Sequence, residues 1–175
     1  MKRPALQLTQ IALPAWRWLM ESQQKTLGLI DSLLREQRYA VLSTQAETGP
    51  YCSLVAFWSA DDLLHVVFPT LRATRKFTYL VSHPRVALLF DDRTNVGLDI
   101  DETTAVTATG VAREITAEAA YSEAASAFLD KHPALSSFLA GPDCALVRVD
   151  VEAYFVVTRF QNLVELRMGD SQPKP

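Results

Sequence analysis

The feature that most constrains the fold is a succession of short β-branched and apolar segments broken at close intervals by turn residues. Residues 39–44 are β-rich, Glu47-Thr48-Gly49-Pro50 is turn chemistry, and residues 51–59 continue as a second strand, so the three read as a hairpin. Asp61 and Asp62 make the next turn, and residues 63–68 form a third strand closed by Pro69. Residues 85–90 and the alternating, β-branched residues 103–114 read as a fourth and a fifth, and 144–149, 154–158 and 163–168 extend the series. Six or seven strands joined mostly by short turns point to a mainly β protein, an antiparallel barrel with peripheral helices rather than a doubly wound parallel sheet.

Three stretches change period. Residues 26–37 place Leu27, Ile30, Leu33 and Leu34 at helical spacing, residues 70–81 carry Leu71, Phe77 and Leu80 behind Thr70 as a candidate N-cap, and Thr116 heads a helix running to about Lys131. Trp16 and Trp18 near Pro14 suggest an N-terminal arm or helix over residues 1–25. The body of the domain is then 26–168, and the Pro- and Lys-containing residues 169–175 are expected to be a disordered tail.

A chain of 175 residues, 49% hydrophobic, can bury a core without disulfides or a structural metal. Its net charge of −3 argues against nucleic-acid binding by bulk electrostatics. No apolar run has the length of a membrane span, and the broken apolar pattern behind Met1-Lys2-Arg3 does not read as a signal peptide. Cys52 and Cys144 lack metal-ligand spacing, so both read as buried, reduced thiols, and the chain as cytoplasmic. His65, His83 and His132 form no ligand pattern either, so no metal site is expected. The acidic stretch Asp91, Asp92, Asp99, Asp101 and Glu102 lacks calcium-loop spacing and reads as a solvated loop, a candidate lid.

The chemistry is concentrated where the third strand meets the second helix. Arg72, Arg75 and Lys76, with the hydroxyls of Thr70 and Thr74, lie within a few residues of a helix start, where unpaired N–H groups favour anions. The same residues also read as the solvated face of an amphipathic helix, the usual fate of a charge run.

The order of elements and the residues at this junction resemble the split-barrel flavin-binding family typified by pyridoxamine 5'-phosphate oxidase. The resemblance rests on Gly49-Pro-Tyr-Cys-Ser-Leu-Val-Ala-Phe57, Phe68-Pro-Thr70, Thr74-Arg-Lys76 and His83-Pro-Arg-Val-Ala-Leu-Leu-Phe90, in that order. It implies a split barrel that binds FMN, with Arg75 and Lys76 on the phosphate, Thr70 and Thr74 supporting, and Pro69 beside them. The backbone of Ser53, Leu54, Val55, Ala56, Phe57 and Trp58 would line the isoalloxazine, with Val55 and Phe57 against the ring. Arg72 would face solvent or a partner chain. The resemblance further implies a homodimer with flavin at the subunit interface and an oxidoreductase acting on a small-molecule substrate or electron acceptor.

Departures bear on the substrate. Ala105 stands where the oxidase carries a flavin-contacting Gln, Trp58 where a Lys contacts substrate phosphate, and the C-terminal Arg- and His-containing substrate motif is missing. Vitamin B6 oxidase chemistry is therefore not expected. Residues 153–160 resemble the haem-utilisation branch of the same superfamily, which makes haem an alternative cofactor, although no His follows His132. Deazaflavin, which related barrels bind, is a second alternative, and a cofactor-free dimeric binding module a third reading.

Overall fold

The computed structural model describes residues 15–93, 103–159 and 162–169. Helix α1 (Ala15–Glu36) leads into β1 (Tyr39–Ala46), β2 (Gly49–Ala56), β3 (Trp58–Ser59) and β4 (His65–Leu71). Helix α2 (Arg75–Ser82), β5 (Arg85–Asp91), β6 (Thr104–Glu114) and α3 (Glu118–Lys131) follow. A 3-10 turn (Pro133–Leu135) runs into the single turn α4 (Ser136–Leu139), then β7 (Cys144–Thr158) and β8 (Asn162–Arg167) close the chain.

The eight strands of the described residues join one antiparallel sheet in the order β2-β1-β5-β6-β7-β4-β3, with β8 also paired to β7. The two ends of that order, β2 and β3, are separated in the chain by Phe57 alone. One continuous segment therefore passes from one edge of the sheet to the other, which it can do only if the sheet is rolled. The fold is mostly β, a curled antiparallel split barrel with helices around it.

The core follows from strand alternation. Ala40, Leu42, Thr44 and Ala46 of β1 point inward, as do Val86, Leu88 and Phe90 of β5 and Val106, Ala108 and Ala112 of β6. On β7 the inward set is Val147, Val149 and Val151, then Tyr154 and Val156, so its parity changes midway. The register explains the change: Gly110 faces Val151 and Thr109 faces Ala153, leaving Glu152 as the extra residue of a bulge. Glu152 is turned outward onto Arg85 at 2.8 Å. Ile30, Leu33 and Leu34 of α1 and Leu80 of α2 pack on this core. Phe128 of α3 and Leu139 of α4 form a second cluster with Val67, Cys144 and Leu146. The Tyr154 phenol, pushed up by burial, donates to the Leu63 carbonyl at 2.8 Å.

Several expectations are corrected. The expected mainly β antiparallel split barrel stands, but among the described residues, 51–59 divide at Phe57 into two pieces with different partners, whereas 144–149 and 154–158 join through the bulge into one strand. Among the described residues the first helix runs Ala15–Glu36 without a break at the expected boundary after residue 25, and Cys52, expected to be buried, is exposed. Thr70 lies in β4 and does not cap α2; Thr74 occupies the N-cap position. The third helix is led by Ala117 rather than Thr116. Asp91 and Asp92 are tied to Arg93 and to the backbone of Thr104, but residues 94–102 of the expected lid and 170–175 of the expected tail lie outside the described residues.

The close approach of β6 and β7 at the bulge yields a stability prediction. A Cβ added at Gly110 would lie 2.2 Å from the Asp150 carbonyl oxygen, a backbone atom that cannot step aside. Gly110→Ala should lower the free energy of unfolding in denaturant melts by about 1–3 kcal/mol or more. Gly28→Ala, in the exposed run of α1 with nothing within 4 Å, should raise it by about 0.5–1 kcal/mol.

Candidate functional site

The site forms where the rolled sheet fails to close. Opposite Gln45 of β1 stands Pro50, which has no N–H, so that position cannot be a hydrogen-bonded pair. By alternation the N–H and C=O groups of Cys52, Leu54 and Ala56 point away from β1, and no strand pairs with β2 on that side. The facing edge belongs to β4. Arg72 N–H donates to the Asp143 carbonyl at 3.0 Å, extending the ladder to β7, so Thr70 pairs toward β7 whereas Pro69 and Leu71 turn their backbone to the other side, past the end of short β3. Pro69 removes a donor there, as a strand proline must. The unpaired edges bound a groove of about 310 Å³, lined by Leu54, Val55, Ala56, Pro69, Thr70 and Leu71, with Thr74 and Lys76 from the start of α2 and Leu135 and Phe138 from beside α4.

The groove is apolar apart from one end. Thr74 Oγ1 donates to the Leu71 carbonyl at 2.7 Å, so the 3.0 Å contact between the two hydroxyls is made by Thr70 Oγ1 donating to Thr74. Thr74 Oγ1 accepts no bond from the helix N–H groups, and those of Arg75, Lys76 and Phe77 precede the first helical bond, from Thr78 to Thr74. The Lys76 ammonium is half-buried, and burial pushes it below the ordinary lysine value. It has no carboxylate partner among the described residues.

The structure gathers Leu54, Val55, Ala56, Pro69, Thr70, Thr74 and Lys76 around one groove, and separates the other expected residues from it. Arg75 stands exposed on the first turn of α2 and does not line the groove. Val55 and Phe57 side chains are in the core, because inward positions on this strand are odd-numbered. The apolar side chains offered to a ring are therefore Leu54, 66% exposed, and Ala56. Ser53 shares the inward side, and its Oγ is buried without a partner. Trp58 packs against the second hydrophobic cluster. Arg72 is exposed, as expected, but not free: it is paired with Glu114 and donates to the Pro142 and Cys144 carbonyls, both at 3.1 Å. Leu71, Leu135 and Phe138 were not legible as site residues, since only the fold brings residues 135 and 138 to this cleft.

Behind the groove sits a polar anchor. Phe57 N–H bonds the Arg38 carbonyl at 3.3 Å, and its carbonyl accepts from His132 Nε2 at 2.8 Å, so these two groups are taken and cannot serve a ring. The His132 ring stacks on Phe128, and burial lowers its pKa, against the help of the Phe57 carbonyl. Lys131 is brought down to about 8 by burial and by Arg38, although its ammonium donates to the Leu34 carbonyl at 2.7 Å and lies 4.1 Å from the Phe57 ring centre.

Fold and groove together define an antiparallel split barrel with one half-buried cation at the mouth of an apolar cleft. The profile of the pyridoxamine 5'-phosphate oxidase family matches residues 28–157, and the chain belongs to that family. No curated protein matches the sequence. Among solved structures the chain is similar to a haem-binding protein from Mycobacterium smegmatis, at 17% identity and TM-score 0.69, covering 78% of this chain and 55% of that one. It is also similar to HutZ, the haem storage protein from Vibrio cholerae, at 16% identity and TM-score 0.65, covering 74% and 92%. A third is a putative pyridoxamine 5'-phosphate oxidase from Listeria innocua, at 14% identity and TM-score 0.60, covering 75% and 98%. These likenesses establish the fold alone. No helix among the described residues is long and apolar enough to cross a membrane.

The buried imidazole sets a pH dependence. Its folded pKa is below 6.5, so the unfolded chain binds the proton more readily and stability falls as pH drops through about 6.5. Melting temperatures measured from about pH 8 down to about pH 5 should decline, and His132→Asn should flatten that decline while lowering the plateau.

Proposed function

We propose that this protein binds FMN in the groove between β2 and β4 and acts as an FMN-dependent oxidoreductase on a small-molecule substrate or electron acceptor. The observation that carries the reading is Lys76: a half-buried cation without a counter-ion, at a helix start with uncapped N–H groups, opening on an apolar cleft. A phosphate there would regain for Lys76 what burial costs it and would accept from the open N–H groups. Arg75, exposed on the same turn, adds positive potential and can reach an outer phosphate oxygen. The ring would lie along the β2 edge, where Leu54 and Ala56 offer backbone donors and acceptors, and against Leu54 and Pro69. FMN when bound supplies hydride or electron transfer, and the chain supplies binding and orientation.

Exposed Leu54, Leu71 and Phe138 at the rim favour a second subunit covering the site, so the working unit is proposed to be a homodimer. Haem fits the groove less well. His132 is committed to the Phe57 carbonyl, His65 lies 3.2 Å from Asp150, and His83 is at the C-terminal end of α2; none of the three lines the cleft.

Fluorescence titration tests the reading. FMN should bind well and riboflavin, lacking the phosphate, at least tenfold more weakly. Lys76→Ala should weaken FMN roughly 10- to 100-fold. Wild-type affinity should decline as pH rises through the lowered Lys76 pKa, beneath the ordinary 10.5. Equal affinity for FMN and riboflavin, or a Soret band with haemin and no FMN binding, would overturn it.

A further inference from the structure

We infer that Phe138, on α4, is a flavin-positioning residue that packs against the ring of the cofactor. This rests on the FMN reading above and adds to it a wall drawn from a remote part of the chain. Phe138 and Leu135 line the same groove as Leu54, Pro69 and Lys76, yet they lie at least 59 residues further along the sequence.

The segment that carries them is held rather than loose. His132 anchors one end through its bond to the Phe57 carbonyl, and Phe57 directly follows Ala56, the last residue of β2 in the groove wall. Pro133 opens the 3-10 turn, Leu135 N–H bonds the His132 carbonyl at 3.0 Å, and Ala140 N–H bonds the Ser136 carbonyl at 3.0 Å. At the other end Leu139 is buried in the second hydrophobic cluster, and Tyr121 Oη reaches its carbonyl at 3.4 Å. With Leu139 turned in, its neighbour Phe138 is turned out and left 38% exposed.

An aromatic ring held in this way keeps more than a third of its surface bare, facing a cleft with a strand edge on the other side, and packing within the chain does not use that bare part. It is well explained by a flat ligand. Aromatic contacts prefer offset-stacked or edge-on arrangements, either of which a planar ring in the groove can meet. The arrangement gives division of labour along the ligand: Lys76 and the helix start take the phosphate, and Phe138 takes the ring.

The test uses the full chain with FMN and inorganic phosphate. Phe138→Ala should weaken FMN about tenfold while leaving the inhibition of FMN binding by inorganic phosphate unchanged. Lys76→Ala should weaken both. Phe138→Tyr should restore FMN affinity, and the melting temperature of Phe138→Ala without ligand should match the wild type, which separates a ligand contact from a folding defect. If wild-type protein binds FMN and Phe138→Ala binds it equally well, the inference fails and the FMN reading stands. If wild-type protein does not bind FMN, both fail.

Discussion

The structure hinges on the passage of the chain through Phe57. Its ring is fully buried, edge-on to Phe90 at 4.7 Å, and its two backbone groups are claimed by Arg38 on one side and His132 on the other. Those three contacts bring together β1, β5 and the end of α3 at the one residue where the strand leaves β1 and crosses to β4. A large aromatic truncated at such a position loses about 3–5 kcal/mol, a large share of the stability of any domain of this size. The crossing is what turns a flat antiparallel order into a rolled sheet.

The groove is a by-product of the same crossing. Upstream of Phe57 the strand is paired to β1, and downstream it is paired to β4, so over the length of β2 the edge of β4 has no partner. Two prolines keep it so. Pro50 fixes which backbone groups of β2 face outward, and Pro69 deprives β4 of a donor that a pairing strand would need. Unpaired edges are a hazard in most proteins. Here they are opposed to each other across a cleft roofed by Leu135 and Phe138, which shields them from addition of a further strand.

Much of this was readable from residues alone, and the limits are physical. Alternation and turn chemistry identify the hairpin at Glu47-Thr48-Gly49-Pro50, where Gly49 adopts φ of 120°, and the anion-seeking residues Thr74, Arg75 and Lys76 at a helix start. The inward face of β2 is not legible in the sequence, because Leu54 and Ala56 are apolar like Val55 and Phe57, although only Val55 and Phe57 point into the core. Apolar residues occupy both faces of that strand, so periodicity carries no signal for which face is inside. Arg72 differs from Arg75 and Lys76 through Glu114, whose pairing depends on the distant strand β6. Leu135 and Phe138 carry no local pattern at all, since a cleft wall is a tertiary property.

The separation of the three cations is the step on which the site depends. Arg72 has a carboxylate and two carbonyls and is part of the scaffold. Arg75 is in water, where a charge costs little. Of these three, Lys76 is the one drawn partly out of water with no carboxylate partner among the described residues, a condition that penalises the folded chain at neutral pH. In a chain of net charge −3 acidic residues are plentiful, and one placed beside Lys76 would relieve the penalty. A carboxylate at that position would also repel an anion and occupy the donors at the start of α2. On the FMN reading proposed above, the desolvation cost carried by Lys76 would be offset when a ligand's phosphate binds there, and so would become part of the affinity.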